Sequence, residues 1–148
     1  MLEYRPLTLA DVPLMLPIER GAHRIPWSES LLQDSFGERY CNVGGWRDGQ
    51  LVGFYIADQL LDESTLHNIC VDPGHQGQGL GRELLAHYLQ QSAAAGCRCW
   101  WLEVRRSNLC AQHLYLQAGY QHVGVRKGYY RAEQGSEDAL VMCRGAVE

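Results

Sequence analysis

One segment restricts the fold more than any other: Asn68-Ile69-Cys70-Val71-Asp72-Pro73-Gly74-His75-Gln76-Gly77-Gln78-Gly79-Leu80-Gly81-Arg82. It begins as an apolar run, passes through closely spaced glycines, and continues into Leu80, Leu84, Leu85, Tyr88 and Leu89 at helical spacing. The pattern predicts a strand over Thr65 to Val71, a glycine-rich loop, and a helix from Gly79 to Ala95 that Gly96 ends. Glycine tolerates positive φ and lets a backbone come close to a ligand. The loop feeds a helix N-terminus, where unpaired N–H groups and the helix dipole attract anions. A pyrophosphate suits that position, although a glycine-rich turn without a ligand has the same spelling. A P-loop is excluded because Gly-Lys-Ser/Thr is absent. The glycine spacing in Gly77-Gln78-Gly79-Leu80-Gly81 is also wrong for a dinucleotide-binding fingerprint.

The flanking elements follow from local signals. Leu2 to Leu7 is a short strand candidate, and Thr8 with Asp11 opens a helix as a capping box. Pro13 is tolerable in its first turn, whereas Pro17 is expected to kink or shorten it near Ile18. Ser28 caps a second helix that turns Leu31, Leu32 and Phe36 inward. Strands are expected over Tyr40 to Trp46 and Leu51 to Leu60, joined by a hairpin turn at Asp48-Gly49. Leu61-Asp62-Glu63-Ser64 connects the second of them to the strand ending at Val71. Beyond Gly96 come a strand from Cys99 to Val104, a helix from Asn108 to Ala118 closed by Gly119, and strands over Tyr120 to Val125 and Ala139 to Cys143. The predicted order is β-α-α-β-β-β-α-β-α-β-β, with no repeat, linker or low-complexity tract, so residues 1–148 read as one α/β domain.

Composition narrows the partners. The chain has 148 residues, enough to bury a substantial core, and a formal net charge of −4 that gives nucleic acid no basic footprint. The segment Met1-Leu2-Glu3-Tyr4-Arg5 lacks the apolar stretch of a signal peptide, and no apolar run is long enough to span a bilayer. A cytoplasmic monomer that contacts neither membrane nor nucleic acid is therefore expected, its six cysteines mostly buried and reduced. No metal site is expected. Cys97-x-Cys99 lacks the two-residue gap of a zinc ligand pair, and Cys110-x-x-His113 has no second pair.

Gln76-Gly77-Gln78-Gly79-Leu80-Gly81 resembles the Gln/Arg-x-x-Gly-x-Gly/Ala signature of the GNAT acetyltransferase superfamily, and Val71-Asp72-Pro73 upstream is similar too. The resemblance covers nearly the whole chain. It implies a mixed central sheet of about seven strands flanked by about four helices, and acetyl-coenzyme A as cosubstrate. Further segments narrow it to the RimI-type members: Pro26-Trp27-Ser28, Gly37-Glu38-Arg39-Tyr40, Leu102-Glu103-Val104-Arg105, Ser107-Asn108, Leu114-Tyr115, Gly119-Tyr120, Tyr129-Tyr130 and Glu137-Asp138-Ala139. That subfamily acetylates the N-terminal alanine of ribosomal protein S-eighteen, so the resemblance implies a protein N-terminus as the acceptor. A lysine side chain or a small-molecule amine is the alternative.

Amine acylation needs an uncharged nucleophile, an oxyanion donor and a leaving thiol. An α-amine, with a pKa of about 8, needs only a modest base, whereas a lysine amine titrates near 10.4. Glu103 is a carboxylate on the apolar strand Trp100-Trp101-Leu102-Glu103-Val104. It reads either as a base whose pKa burial raises, or as a strand-end acid paired with Arg105 or Arg106. The resemblance implies the base. Tyr115 reads as a core aromatic, and the resemblance implies that its phenol protonates the departing thiolate. The resemblance also implies that Gln76, Gly77, Gln78, Gly79, Leu80, Gly81 and Arg82 hold the pyrophosphate, and that Asn108, otherwise a helix cap, contacts the cofactor. By the same resemblance, Ile69, Cys70 and Val71 pair their backbone with the pantetheine arm, the Val71 N–H facing the acetyl oxygen. By the same resemblance, Tyr129 and Tyr130, expected in the loop before the last strand, help shape the peptide groove, with His23, Trp27 and Glu38 as its other wall, although packing is the more ordinary role for Trp27.

Overall fold

The computed structural model describes residues 2–132 and 134–145. Its strands are β1 (Glu3–Pro6), β2 (Val43–Arg47), β3 (Gln50–Leu60), β4 (Glu63–Val71), β5 (Cys99–Arg105), β6 (Gln121–Arg131) and β7 (Ser136–Gly145). The helices are α1 (Val12–Ala22), α2 (Glu29–Gln33), α3 (Leu80–Ala94) and α4 (Leu109–Gln117). The strands form one seven-stranded sheet in the order β1-β2-β3-β4-β5-β7-β6. Every neighbouring pair is antiparallel except β4 and β5. A parallel pair needs a crossover, and α3 provides it.

Each sheet face is closed by its own core. On one face α3 and α4 bring Leu80, Leu84, Leu85, Tyr88 and Tyr115 onto Val52, Tyr55, Leu102 and Val104. On the other, α1 and α2 bring Val12, Met15, Leu16, Ile18 and Leu32 onto Trp46, Leu51, Phe54, Ile56 and Cys70. β4 serves both layers, because its residues alternate between faces.

Local chemistry set most element ends. Asp48 and Gly49 both take positive φ (52° and 79°), as a tight hairpin turn requires. Ser28 accepts a hydrogen bond from the Leu31 N–H (3.1 Å), and Asp11 accepts one from the Thr8 N–H (2.8 Å). A short 3-10 turn, Leu9–Asp11, precedes α1.

Four expectations need correction. Pro17 neither ends nor shortens α1, which runs on to Ala22; packing of Met15, Leu16 and Ile18 against the sheet outweighs one missing backbone bond. Leu31 faces solvent at 45% exposure, because α2 is only five residues long and turns Leu32 inward instead. The strand expected from Tyr40 begins at Val43, and Tyr40 makes only an isolated bridge to Asp58. Tyr129 and Tyr130 lie on β6, not in a loop. An irregularity between Arg126 and Tyr130, where the Gly128 N–H donates to Asp138 Oδ1 (3.0 Å), carries the strand on to Arg131. Four cysteines are buried, while Cys41 and Cys110 are exposed.

Candidate active site

The site begins where two strands part. β4 and β5 are paired from Glu63 opposite Cys99 to Leu66 opposite Leu102, and no further. β4 continues to Val71 on its β3 side, with Cys70 opposite Phe54 and Ile69 opposite Tyr55. β5 continues to Arg105 on its β7 side. Residues 67–71 and 103–105 therefore each keep one backbone edge facing a wedge-shaped opening. Its apex coincides with a bulge: Ile56 pairs with Asn68 and Ala57 with Leu66, leaving His67 unopposed. A bulge adds local twist, which turns β4 away from its neighbour. Backbone edges of this kind call for a partner, and an amide-containing chain laid in the opening supplies one.

The glycine loop closes the end of the opening. Asp72 leads into a 3-10 turn, Pro73–His75, and His75 Nδ1 lies 2.9 Å from Asp72 Oδ2. Gln76 Nε2 donates to the Val71 carbonyl (3.1 Å), tying the loop to the strand, and Gln78 Oε1 accepts from Arg47 (2.8 Å). Gly77 and Gly79 have φ of +81° and +77°, and a Cβ on either would meet nothing within 4 Å. These positions demand left-handed backbone beside open space, the setting for a ligand's phosphates. Gly79 caps α3 without a side-chain hydrogen bond, so the N–H groups at the start of this 15-residue helix remain for an anion. Leu80 is buried, anchoring the helix start, and Arg82 is exposed beside it. At the next helix start, Asn108 accepts from the Ala111 N–H (3.1 Å); its capping role is realised.

Glu103 and Tyr115 lie on opposite faces of the sheet. Leu102 and Val104 point into the core that contains Tyr115, so Glu103 between them points the other way. Glu103 is not paired with Arg105 or Arg106, which bind Glu137 (3.2 Å) and Asp138 (3.4 Å). Its Oε1 accepts from Arg126 on β6 (2.7 Å), which reaches across β7. Its Oε2 is buried and has no hydrogen-bond partner among the described residues. A buried carboxylate oxygen without a donor is costly; an amine or a water in the opening would satisfy it. Sequence reading missed Arg126, because its role depends on a strand pairing that no local pattern announces.

Tyr115 is 7% exposed and packs near Tyr120, with ring centroids 5.9 Å apart. Burial pushes its phenol above the usual range, and Tyr130 and Cys70 add to the shift. The hydroxyl is thereby kept protonated at neutral pH, as an acid must be. Tyr130 donates to the Glu103 carbonyl (2.9 Å), and the Arg105 guanidinium stacks on its ring at 4.5 Å. Tyr129 sits edge-on to Tyr130 at 5.0 Å, with Arg126 over its face at 4.0 Å. These residues cluster beside Glu103. Trp27, half-buried on the α1–α2 segment, donates its backbone N–H to Glu19 Oε2 (3.0 Å), and Glu38 is exposed nearby in sequence. Among the described residues, no hydrogen bond or ion pair joins Glu38 to another predicted site residue.

Residues 12–120 match the acetyltransferase (GNAT) family. The chain belongs to that family. It is an acetyltransferase of a single GNAT domain, and acetyl-coenzyme A is its acetyl donor. It is 43% identical over 136 residues to the [ribosomal protein bS18]-alanine N-acetyltransferase of Escherichia coli strain K12, covering 92% of each chain. The enzyme of the same name from Haemophilus influenzae is 41% identical over 133 residues, 89% of this chain and 90% of the relative. The crystal structure of the ribosomal-protein-S18-alanine N-acetyltransferase from Escherichia coli superposes with a TM-score of 0.92 at 40% identity, covering 100% of this chain and 96% of that one. The open β4 edge, the uncapped start of α3 and the space at Gly77 and Gly79 fit the amide arm and pyrophosphate of the donor.

Proposed function

We propose that this acetyltransferase modifies the free α-amine of a protein N-terminus, that of the N-terminal alanine of ribosomal protein bS18. The relatives that carry this activity in their names match over almost their full length. The observation that bears most weight is Glu103 Oε2, buried and without a donor among the described residues, on the first residue of β5 beyond its pairing with β4. An α-amine, with a pKa of about 8, is already partly uncharged near neutral pH, so a carboxylate acting directly or through one water suffices to take its proton as it attacks. The enzyme acts as a monomer in the cytoplasm, where ribosomal proteins are made. Among the described residues no helix is long and apolar enough to cross a membrane.

In this reading the backbone of Ile69, Cys70 and Val71 pairs with the pantetheine arm as an added strand. The Val71 N–H stabilises the oxyanion that forms as the amine attacks the acetyl carbon. Gln76, Gly77, Gln78, Gly79, Leu80, Gly81 and Arg82 surround the pyrophosphate. Asn108, its Oδ1 engaged in the cap, turns its NH₂ group to the cofactor. Glu103 takes the amine proton from one face. Tyr115 gives a proton to the departing sulfur from the other. Tyr129, Tyr130, Trp27 and Glu38 line the peptide groove.

The test uses peptides that begin Ala-Arg, with free or blocked N-termini and an internal lysine in both. Acetyl should appear on the α-amine of the free peptide, with no reaction in the blocked one. Mass spectrometry that placed acetyl mainly on lysine would instead make the enzyme a side-chain acetyltransferase.

A further inference from the structure

On the α1 face of β4, beside the opening, four side chains converge whose chemistry the transfer reaction does not use. Glu19 comes from α1, His23 from the residue that closes α1, and Asn68 and Cys70 from β4. His23 Nε2 lies 3.0 Å from Asn68 Oδ1, 3.1 Å from Cys70 Sγ and 3.8 Å from Glu19 Oε2. Cys70 Sγ lies 3.3 Å from Glu19 Oε1 and 3.4 Å from Asn68 Oδ1. Glu19 is fully buried and Cys70 is 3% exposed, while the His23 side chain is 30% exposed and forms the open corner.

The cluster is rich in lone pairs and poor in protons. The Asn68 NH₂, itself part of the cluster, donates to Glu19 Oε1, and the Trp27 N–H donates to Glu19 Oε2. Beyond these two donors, a carboxylate, an amide oxygen, a sulfur and an imidazole nitrogen share at most one thiol proton and one ring proton. The His23, Cys70 and Asn68 donor atoms, 3.0–3.4 Å apart, can all stand about 2 Å from one centre, the length of a zinc–ligand bond, and a Glu19 oxygen lies within 4.8 Å of both His23 and Cys70. An ammonium group needs ~2.8 Å to each acceptor and does not fit. We propose that Glu19, His23 and Cys70 bind a divalent cation of the zinc class, with Asn68 Oδ1 as fourth donor. As the metal–sulfur bond forms, the Cys70 S–H bond breaks and its proton leaves to solvent. His23 binds through Nε2 as a neutral imidazole, with its proton on Nδ1. Sequence spacing hides this site, because Cys70 falls 47 positions after His23, itself four positions after Glu19.

Cobalt(II) is the probe, added to the full chain under reducing, oxygen-free conditions. The expected result is a thiolate-to-cobalt charge-transfer band with tetrahedral visible bands, saturating at one equivalent and bleached by zinc. Cys70→Ala should lose the charge-transfer band, and His23→Gln should weaken cobalt binding at least about tenfold. If Cys70→Ala does not fold, His23→Gln still decides, because it changes a partly exposed side chain. No band in the wild-type protein, a band that survives Cys70→Ala, or unchanged affinity in His23→Gln overturns the proposal. A surviving band would place cobalt on another thiol, such as the exposed Cys41 or Cys110.

Discussion

Tyr115→Phe separates packing from chemistry. The ring lies in the main core, 7% exposed and beside Tyr120, and phenylalanine preserves those contacts. The hydroxyl makes no hydrogen bond among the described residues, so its loss strands no partner. The stability change should therefore stay within about 1 kcal/mol. Loss of a general acid typically lowers turnover ~10²-fold or more, or roughly 2.7 kcal/mol of barrier at the lower limit. A thiol with a pKa of about 8.5 is a tolerable leaving group, which favours that lower limit. Burial keeps the phenol protonated well past neutrality, so the defect should be nearly constant from about pH 6 to 9. The assay is steady-state thiol release across that range, with calorimetric binding of acetyl-coenzyme A and thermal melts on the same preparations. Wild-type turnover in the mutant would refute the assignment and leave Tyr115 a core aromatic. A loss of turnover matched by loss of cofactor affinity or melting temperature would refute the separation of roles.

Glu103→Gln should lower turnover most below the acceptor's pKa of about 8, recovering in part at higher pH as free amine accumulates; a uniform loss across pH would argue against a base. Gly79→Asp adds no clash, since a Cβ there meets nothing within 4 Å, and Asp can adopt the φ of +77° as Asn can, but it sets a negative charge against the pyrophosphate. Calorimetry should show weakened acetyl-coenzyme A binding, with Gly79→Asn, which tolerates that φ without charge, closer to wild type. Burial raises the phenols of Tyr4, Tyr55, Tyr88, Tyr115, Tyr120 and Tyr130. Above about pH 10 the unfolded chain releases protons that the folded one retains, so stability present below that pH should fall as pH rises. Urea midpoints that stay flat from pH 9 to 11 would contradict this.

The sequence alone determined whatever depends on a few adjacent residues. The glycine loop, the Asp48-Gly49 turn, the Ser28 and Asn108 caps and the order of the elements all rest on backbone geometry and hydrogen bonds a few residues apart. Glu103 was legible as well, since a carboxylate on an apolar strand needs a partner or a task. Glu19 was legible in principle: it falls seven residues after Val12, four after Met15 and three after Leu16, on the buried face of α1. Only the tertiary structure decided where β4 and β5 part, because that depends on a register between strands joined by a whole helix. It alone placed Arg126 on Glu103 from 23 residues away, carried Tyr129 and Tyr130 onto β6, and brought His23 to Cys70. Each of these contacts joins strands or helices whose relative placement is set by burial and pairing of the whole sheet. Local preferences carry no record of that pairing, so the residues that meet across it cannot be read along the chain.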